Sequence, residues 1–156
     1  LSDLPEGQAH LDALLTERDA MIQIYLPSVA GGAHGERCIV AIDGEITHAV
    51  RKNTIFEPRP IEASAAPADP DEIEFARRVL HDLSPAPLYA RVDVARDGEN
   101  RVCLMELELA EPTLFLAGAP HAVARLADAI ARCYKMDGRE SPNRGPPLGL
   151  RTERRQ

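Results

Sequence analysis

Apolar and polar residues alternate in two runs near the middle of the chain, residues 88–96 and 101–109, and this pattern predicts a β-hairpin. Asp97 and Gly98 lie between the runs and favour a tight turn. Whether residues 98–99 form a two-residue loop or residues 97–100 a four-residue one, Arg96 lies opposite Arg101. The same register pairs Asp93 with Leu104, Arg91 with Glu106, and Tyr89 with Glu108.

Side chains on a strand point alternately to its two faces, so this hairpin is predicted to have two very different faces. One face is apolar and must pack against another element: Leu88, Ala90, Val92, Val94, Cys103, Met105, Leu107 and Leu109. The other face gathers three carboxylates and an arginine: Tyr89, Arg91, Asp93, Leu104, Glu106 and Glu108.

Clustered carboxylates repel one another unless a positive charge lies among them. A hard cation such as Mg²⁺ takes oxygen ligands and leaves room for water and phosphate oxygens, so the polar face is a candidate metal site. The alternative is a solvated sheet face on which Arg91 pairs with Glu106. Spacing alone favours the solvated face, and the remainder of the chain shifts the balance towards a metal site.

The other segments predict an α+β domain with an antiparallel β-sheet and helices packed on one face. Helices are predicted over residues 4–18, 69–82 and 120–134, the last with Val123, Leu126, Ala127, Ile130 and Ala131 at helical spacing. A short strand is predicted at 21–26, and a second hairpin pairs 37–42 with 45–51 across Asp43-Gly44. Residues 53–70 are interpreted as a surface connection. The domain therefore covers residues 1–136, and 137–156 are predicted to be a disordered tail.

Composition narrows the function classes. The chain has 156 residues, 44% of them hydrophobic, which suffices for one domain with a core. A net charge of −7 argues against a nucleic-acid or anionic membrane partner, and no apolar run is long enough to span a bilayer. The three cysteines are widely spaced in apolar stretches, which predicts reduced, buried thiols and a cytoplasmic location.

Four segments together resemble the C-terminal lobe of an ATP-grasp enzyme with a glutathione-synthetase-like ATP-binding domain. They are residues 21–26 (MIQIYL), 35–52 (GERCIVAIDGEITHAVRK), 89–93 (YARVD) and 105–112 (MELELAEP), within a resemblance over residues 10–134. The branch is that of amino-acid and peptide ligases, which includes the cycloserine-pathway ligase. The resemblance implies an ATP- and Mg²⁺-dependent carboxylate–amine ligase that works through an acyl phosphate, with Mn²⁺ as an alternative cation.

The resemblance also implies roles for individual residues. Asp93, Glu106 and Glu108 match the three metal-ligand positions, in agreement with the face derived from alternation. Arg91 would lie beside the transferring phosphate. The residues expected to contact the nucleotide are Gln23, Ile24 and Leu26 at the adenine, Glu36 at a ribose or phosphate, and Lys52 or Arg51 at a phosphate.

The chain departs from the family pattern in three respects. Glu108 stands where the family often has Asn, the segment 53–69 lacks expected glycines, and no Gly-rich phosphate loop precedes Met21. We therefore expect a fragment, inactive alone, whose partners are ATP, a small carboxylate or amine substrate and the missing N-terminal portion; a homo-oligomer is left open. The alternatives are a degenerate, non-catalytic lobe acting as an interaction or regulatory module, and a simple divalent-cation binder.

Overall fold

A computed structural model describes residues 4–29, 34–52 and 63–136 of the chain. These residues form a five-stranded antiparallel sheet in the order β3-β2-β1-β4-β5, with three α-helices. The strands are β1 (Glu36–Ile42), β2 (Glu45–Lys52), β3 (Ala63–Ala65), β4 (Tyr89–Arg96) and β5 (Val102–Glu108). The helices are α1 (Leu4–Leu15), α2 (Pro70–His81) and α3 (Pro120–Met136). The antiparallel sheet and the α+β class are confirmed.

The helices α2 and α3 pack on opposite faces of the sheet, which corrects the expectation that the helices share one face. On one face α2 covers Ile39, Val92 and Val94 with Ala76 and its apolar neighbours. On the other face α3 covers Val40 and Ile42 with Ala122 and Leu126. Ile39 and Val40 are neighbours in β1, so they point to opposite sides and each needs its own cover.

The turn at Asp43-Gly44 joins β1 to β2 as predicted. Both residues have positive φ angles, 52° and 76°, which is the conformation that fits the right-handed twist of a two-residue hairpin. From α3, Arg125 Nε donates to the Ile42 carbonyl at 2.7 Å, and Arg132 pairs with Asp43. These bonds fix α3 to this end of the sheet and leave the other end for the polar cluster described below.

The hairpin of β4 and β5 forms, but its register differs from the prediction. Its loop has five residues, 97–101, closed by the Asp97 N–H on the Arg101 carbonyl at 3.0 Å. A β-bulge then inserts Met105, so Val94 pairs with Leu104 whereas Asp93 pairs with Glu106. Because of this extra residue, Leu104 leaves the acidic face on which it was expected, and Glu106 and Glu108 stay there.

Three further predictions need correction. Residues 21–26 form no strand, and Met21, Ile22 and Ile24 are largely exposed since no neighbouring strand pairs with them. The presumed connection after residue 52 contains the short strand β3, which pairs with β2; residues 53–62 lie outside the described part. The thiols are free, but only Cys38 is buried, while Cys133 is exposed.

The predicted tail, residues 137–156, also lies outside the described residues. The N-terminal helix α1 adds little to the core. None of its residues is buried, whereas α2 and α3 both contribute to the core. Among the helices that the structure describes, none has the length and apolar character needed to cross a bilayer.

Candidate functional site

A polar cluster lies on the α3 face of the sheet, at the end remote from the Asp43-Gly44 turn. Strand pairing assembles it, because Cys38 lies opposite Asp93, Glu36 lies opposite Lys52, and Asp93 lies opposite Glu106. Three pairings across four strands thus bring together residues that are up to 72 positions apart in sequence, from Glu36 to Glu108. We call this group the Asp93 cluster: Glu36, Lys52, Arg91, Asp93, Glu106 and Glu108.

Asp93 is the centre of the cluster and is fully buried. Its Oδ1 accepts a hydrogen bond from Arg91 Nε at 2.8 Å, and its Oδ2 accepts bonds from Arg91 Nη2 at 2.9 Å and Lys52 Nζ at 2.8 Å. Burial acts to raise the pKa of Asp93, but the bonds from Arg91 and Lys52 outweigh it and lower the pKa. Asp93 is therefore ionised in the folded protein.

Arg91 holds the remaining carboxylates of β5. Its Nη2 lies 3.4 Å from Glu106 Oε2 and also bonds Glu108, and its guanidinium carbon lies 5.8 Å from the centre of the Phe115 ring. One guanidinium thus serves three acids. Two of them remain accessible, since 53% of the Glu106 side chain and 27% of the Glu108 side chain are exposed.

Lys52 links the cluster to the start of β1. Its Nζ lies 2.8 Å from Glu36 Oε1 and 2.8 Å from Asp93 Oδ2, and only 14% of the lysine side chain is exposed. Burial acts to lower the pKa of Lys52, but its bonds to Asp93 and Glu36 prevail and raise it. The buried Cys38 thiol beside Asp93 has its pKa raised by burial and by the Asp93 charge, so it stays protonated.

The cluster has an excess of negative charge that suits a divalent cation. It contains four carboxylates against two cationic side chains, a formal balance of −2. Burial, reinforced by the charges of Glu106 and Asp93, raises the pKa of Glu108, and burial likewise raises that of Glu36. One ligand oxygen each from Asp93, Glu106 and Glu108 lie within 4.8 Å of one another. This all-oxygen donor set fits Mg²⁺ or Mn²⁺.

The segment expected to meet the adenine lines a separate cleft. Residues 22–27 form one wall of a cleft of about 640 Å³, and Asp97, Gly98 and Leu104 of the β4–β5 hairpin lie on the other side. One contact between this segment and the acidic strand is that of Gln23 Nε2, which lies 3.7 Å from the sulfur of Met105, the bulge residue. Ile24 and Leu26 line the cleft and do not reach the Asp93 cluster.

Sequence reasoning missed three contributors to the cluster. Phe115 and the Thr113 carbonyl, 3.5 Å from Arg91 Nη1, both lie in the irregular segment before α3, where no sequence pattern predicts a contact with Arg91. Cys38 had a signal, because alternation places it on the same face as Val40. His48 has a structural role, since its ring nitrogens bond Thr47 Oγ1 at 2.9 Å and the Leu114 carbonyl at 2.8 Å.

Comparisons with known proteins agree with this fold. The chain is 31% identical over 140 residues to the cycloserine biosynthesis protein DcsG of Streptomyces lavendulae, an alignment that covers 81% of this chain and 46% of that protein. The crystal structure of D-cycloserine synthetase DcsG matches with a TM-score of 0.69 and 26% identity, covering 83% of this chain and 48% of that one. No family model matches the chain.

A more distant match concerns the fold alone. D-alanine–D-alanine ligase from Bacillus anthracis, solved with ATP, has a TM-score of 0.52 and 16% identity, covering 87% of this chain and 50% of the ligase. The chain therefore spans about half the length of the relatives that it matches. The resemblance to ATP-grasp ligases, including the cycloserine-pathway branch, is confirmed.

Proposed function

We propose that this chain, which resembles ATP-grasp ligases, is the nucleotide- and metal-binding portion of an ATP-dependent carboxylate–amine ligase. The observation that carries the proposal is the Asp93 cluster, in which four carboxylates meet Arg91 and Lys52, so that two negative charges are left uncompensated. With a divalent cation bound, such a site would neutralise and orient phosphate groups, which is most of what phosphoryl transfer requires of a protein.

In this proposal Asp93, Glu106 and Glu108 hold Mg²⁺, which when bound supplies charge neutralisation at the ATP phosphates. Glu106 and Glu108 are the accessible ligands, and the hydrogen bonds from Arg91 and Lys52 keep Asp93 ionised. Arg91 then exchanges part of its carboxylate contacts for a phosphate oxygen. Lys52 keeps Asp93 and Glu36 in place and offers a second positive charge to the phosphates.

The reaction we propose needs no side-chain nucleophile. A substrate carboxylate attacks the γ-phosphorus of ATP, the bond to the bridging oxygen breaks, and ADP leaves with an acyl phosphate formed. An amine then attacks the acyl carbon and releases inorganic phosphate. Arg91, which would face the transferred group in both steps, orients it and offsets its negative charge. Gln23, Ile24 and Leu26 would contact the adenine in the adjoining cleft.

The alternative for this chain is a non-catalytic lobe that serves as an interaction or regulatory module. A ligase portion, an interaction module and a plain cation site differ in what they bind. A ligase portion binds a nucleotide in a Mg²⁺-dependent manner through the Asp93 cluster. An interaction module keeps its fold and binds neither, and a plain cation site binds Mg²⁺ with no effect of nucleotide.

Calorimetric titration of the chain with a non-hydrolysable ATP analogue, with and without Mg²⁺, tests the proposal. Glu106→Gln removes an accessible charge with little effect on packing, and we expect it to weaken Mg²⁺-dependent binding about tenfold or more. Glu74→Gln, at an exposed position of α2 on the other face of the sheet, is the matched control and should leave binding unchanged. Equal affinities for Glu106→Gln and the wild type, or no binding by a chain with an intact circular dichroism spectrum, would refute the proposal.

A further inference from the structure

The segment between β5 and α3 is held against the sheet through its carbonyl groups. The Ala110 carbonyl accepts a hydrogen bond from Tyr89 Oη at 2.9 Å, and the Leu114 carbonyl accepts one from His48 Nε2 at 2.8 Å. The Leu114 side chain also packs against the core that α3 covers. These contacts fix the course of the chain as it passes the acidic face, so the residue that follows Leu114 has a defined place.

Phe115 is that residue, and its backbone conformation is one that bulky side chains rarely adopt. Its φ and ψ angles are 49° and 39°, in the left-handed region. Leu114 and Leu116 on either side of it both pack against the core that α3 covers. The left-handed turn thus places both neighbours in the core while the Phe115 ring lies against Arg91, whose guanidinium carbon is 5.8 Å from the ring centre.

The three nitrogens of the Arg91 guanidinium have unequal partners. Nε and Nη2 donate to the two oxygens of Asp93 at 2.8 Å and 2.9 Å, a bidentate pair that fixes the plane of the group. Nη2 also contacts Glu106 and Glu108. In the part of the chain that the structure describes, Nη1 has one partner, the Thr113 carbonyl at 3.5 Å, which is long for a hydrogen bond. Nη1 is therefore the end of the guanidinium with donors to spare.

We propose that Phe115 is a positioning residue, which holds Arg91 so that Nη1 faces the γ-phosphate of ATP. This role rests on the ligase function proposed above, in which Arg91 lies beside the transferred group. Asp93 fixes one edge of the guanidinium and the aromatic ring covers one of its faces, so the free end keeps one direction. A cation is attracted to an aromatic ring more strongly where water is excluded, as it is around the nearly buried Arg91. Small displacements of a group that contacts the reacting phosphate lower the reaction rate markedly.

A comparison of two nucleotides tests the role, because ADP lacks the phosphate that Arg91 would contact. Phe115→Leu keeps a bulky apolar side chain but removes the ring. We expect it to weaken Mg²⁺-dependent binding of a non-hydrolysable ATP analogue about fivefold, with ADP binding unchanged. Phe115→Tyr retains the ring and should keep the wild-type affinity for the analogue. A purely structural role would weaken the binding of both nucleotides alike.

The chain offers a matched control on the other face of the sheet. Phe75 of α2 has the Arg78 guanidinium carbon 5.8 Å from its ring centre, the same distance as in the pair of Phe115 and Arg91. Phe75 packs against the core that α2 covers, on the face opposite the Asp93 cluster. Phe75→Leu therefore removes an equivalent contact, and it should leave the preference for the ATP analogue over ADP unchanged.

The hold on Arg91 can also be measured without nucleotide. Exchange of the Arg91 Nε proton with water, followed by ¹⁵N NMR, reports how firmly the guanidinium is held. We expect faster exchange in Phe115→Leu and wild-type exchange in Phe115→Tyr and Phe75→Leu. Unchanged exchange, an unchanged affinity for the ATP analogue, or equal losses for both nucleotides in Phe115→Leu would overturn the positioning role alone. A wild-type chain that binds neither nucleotide would instead refute the ligase function, and the phosphate contact with it.

Discussion

Two arginines of the same strand, β4, gather carboxylates on opposite faces of the sheet. One cluster is closed by further hydrogen bonds, and the other leaves two of its acids partly exposed. Arg96 serves the α2 face, where it donates two bonds of 2.8 Å to Asp71 and one of 3.1 Å to Asp69, with Glu72 at 3.8 Å. Arg91 serves the α3 face and the Asp93 cluster. Each arginine is nearly buried and faces three acids, so the number of charges does not distinguish them.

The acids around Arg96 have donors of their own. Glu72 is fully buried, but its Oε2 accepts the Asp69 N–H at 2.8 Å and its Oε1 lies 2.5 Å from His34 Nε2. The Glu72 N–H bonds Asp71, and the first turn of α2 adds its positive end. Hydrogen bonds from Arg96 lower the pKa of Asp71. This group is a closed structural joint between α2, β4 and the residues before β1.

Around Arg91, Glu106 and Glu108 share the one guanidinium, while Asp93 also accepts from Lys52, and the pKa of Glu108 is raised where that of Asp71 is lowered. Glu106 and Glu108 are partly exposed, and no backbone N–H donates to either of them within the described residues. The comparison teaches that a charge cluster is structural when each carboxylate has a hydrogen-bond donor of its own. A cluster in which several carboxylates share one donor is suited to binding a ligand.

The largest expected effect is that of Arg96→Ala on stability. It leaves the buried Glu72 and two neighbouring acids without their cation, so we expect the free energy of unfolding to fall by about 3 kcal/mol. Urea denaturation measures this loss. Arg78→Ala, which removes an exposed ion pair with Glu74 on α2, is the control and should cost about 0.5 kcal/mol or less. Equal losses in the two variants would contradict a structural role for Arg96.

A matched pair of Glu→Gln changes sharpens the comparison. Glu72→Gln keeps the shape but loses the charge that holds His34 and faces Arg96, so we expect a loss of about 2 kcal/mol. Glu106→Gln relieves crowding on an exposed acid and should change stability by about 0.5 kcal/mol or less. Both values come from the same denaturation experiment. A Glu106→Gln variant as unstable as Glu72→Gln would place the two clusters in one structural class.

The smallest effect is a difference in pH dependence. The raised pKa of Glu108 means that the folded protein holds this proton more tightly than the unfolded chain, so its contribution to stability is lost as pH rises above 4.5. Glu108→Gln should therefore gain on the wild type as pH rises through that range. The lowered pKa of Asp71 reverses the sign: Asp71→Asn should be less stable than the wild type above about pH 4, and the deficit should vanish in acid. Melting curves from pH 3 to pH 7, with roughly half-unit steps, compare both variants; slopes of equal sign would refute the contrast.

The acidic face could be predicted because alternation along a strand is a local rule. Glu106 and Glu108 are two residues apart on β5, and Asp93 is on β4, the strand joined to β5 by one loop. The structure brings the three carboxylates together. The exact register could not be predicted, since the five-residue loop and the bulge at Met105 depend on how β5 packs on both sides. The nucleotide and metal roles of these residues remain predictions.

The Arg96 joint could not be found from sequence, because its members are brought together by tertiary packing alone. Arg96 is 25 residues from Asp71, and His34 is 38 residues from Glu72. The segment 21–26 shows the opposite error, since its apolar residues predicted a strand that has no partner strand beside it. The face that α3 turns to the sheet could not be predicted either, because several of its faces are apolar: Val123 and Ile130 fit the helical pattern but are 46% and 51% exposed.

The bulge at Met105 acts as a phase shift along β5. Val102 and Leu107 both pack on the α2 side although they are five positions apart, an odd number that a regular strand would send to opposite faces. The extra residue thus lets one short strand supply apolar cover to one layer and two acids to the other. The displaced Met105 also contacts Gln23, which lines the neighbouring cleft, so the residue that sets the phase is joined to that cleft through Gln23. The length of this hairpin is therefore as much a part of the site as the charges that it presents.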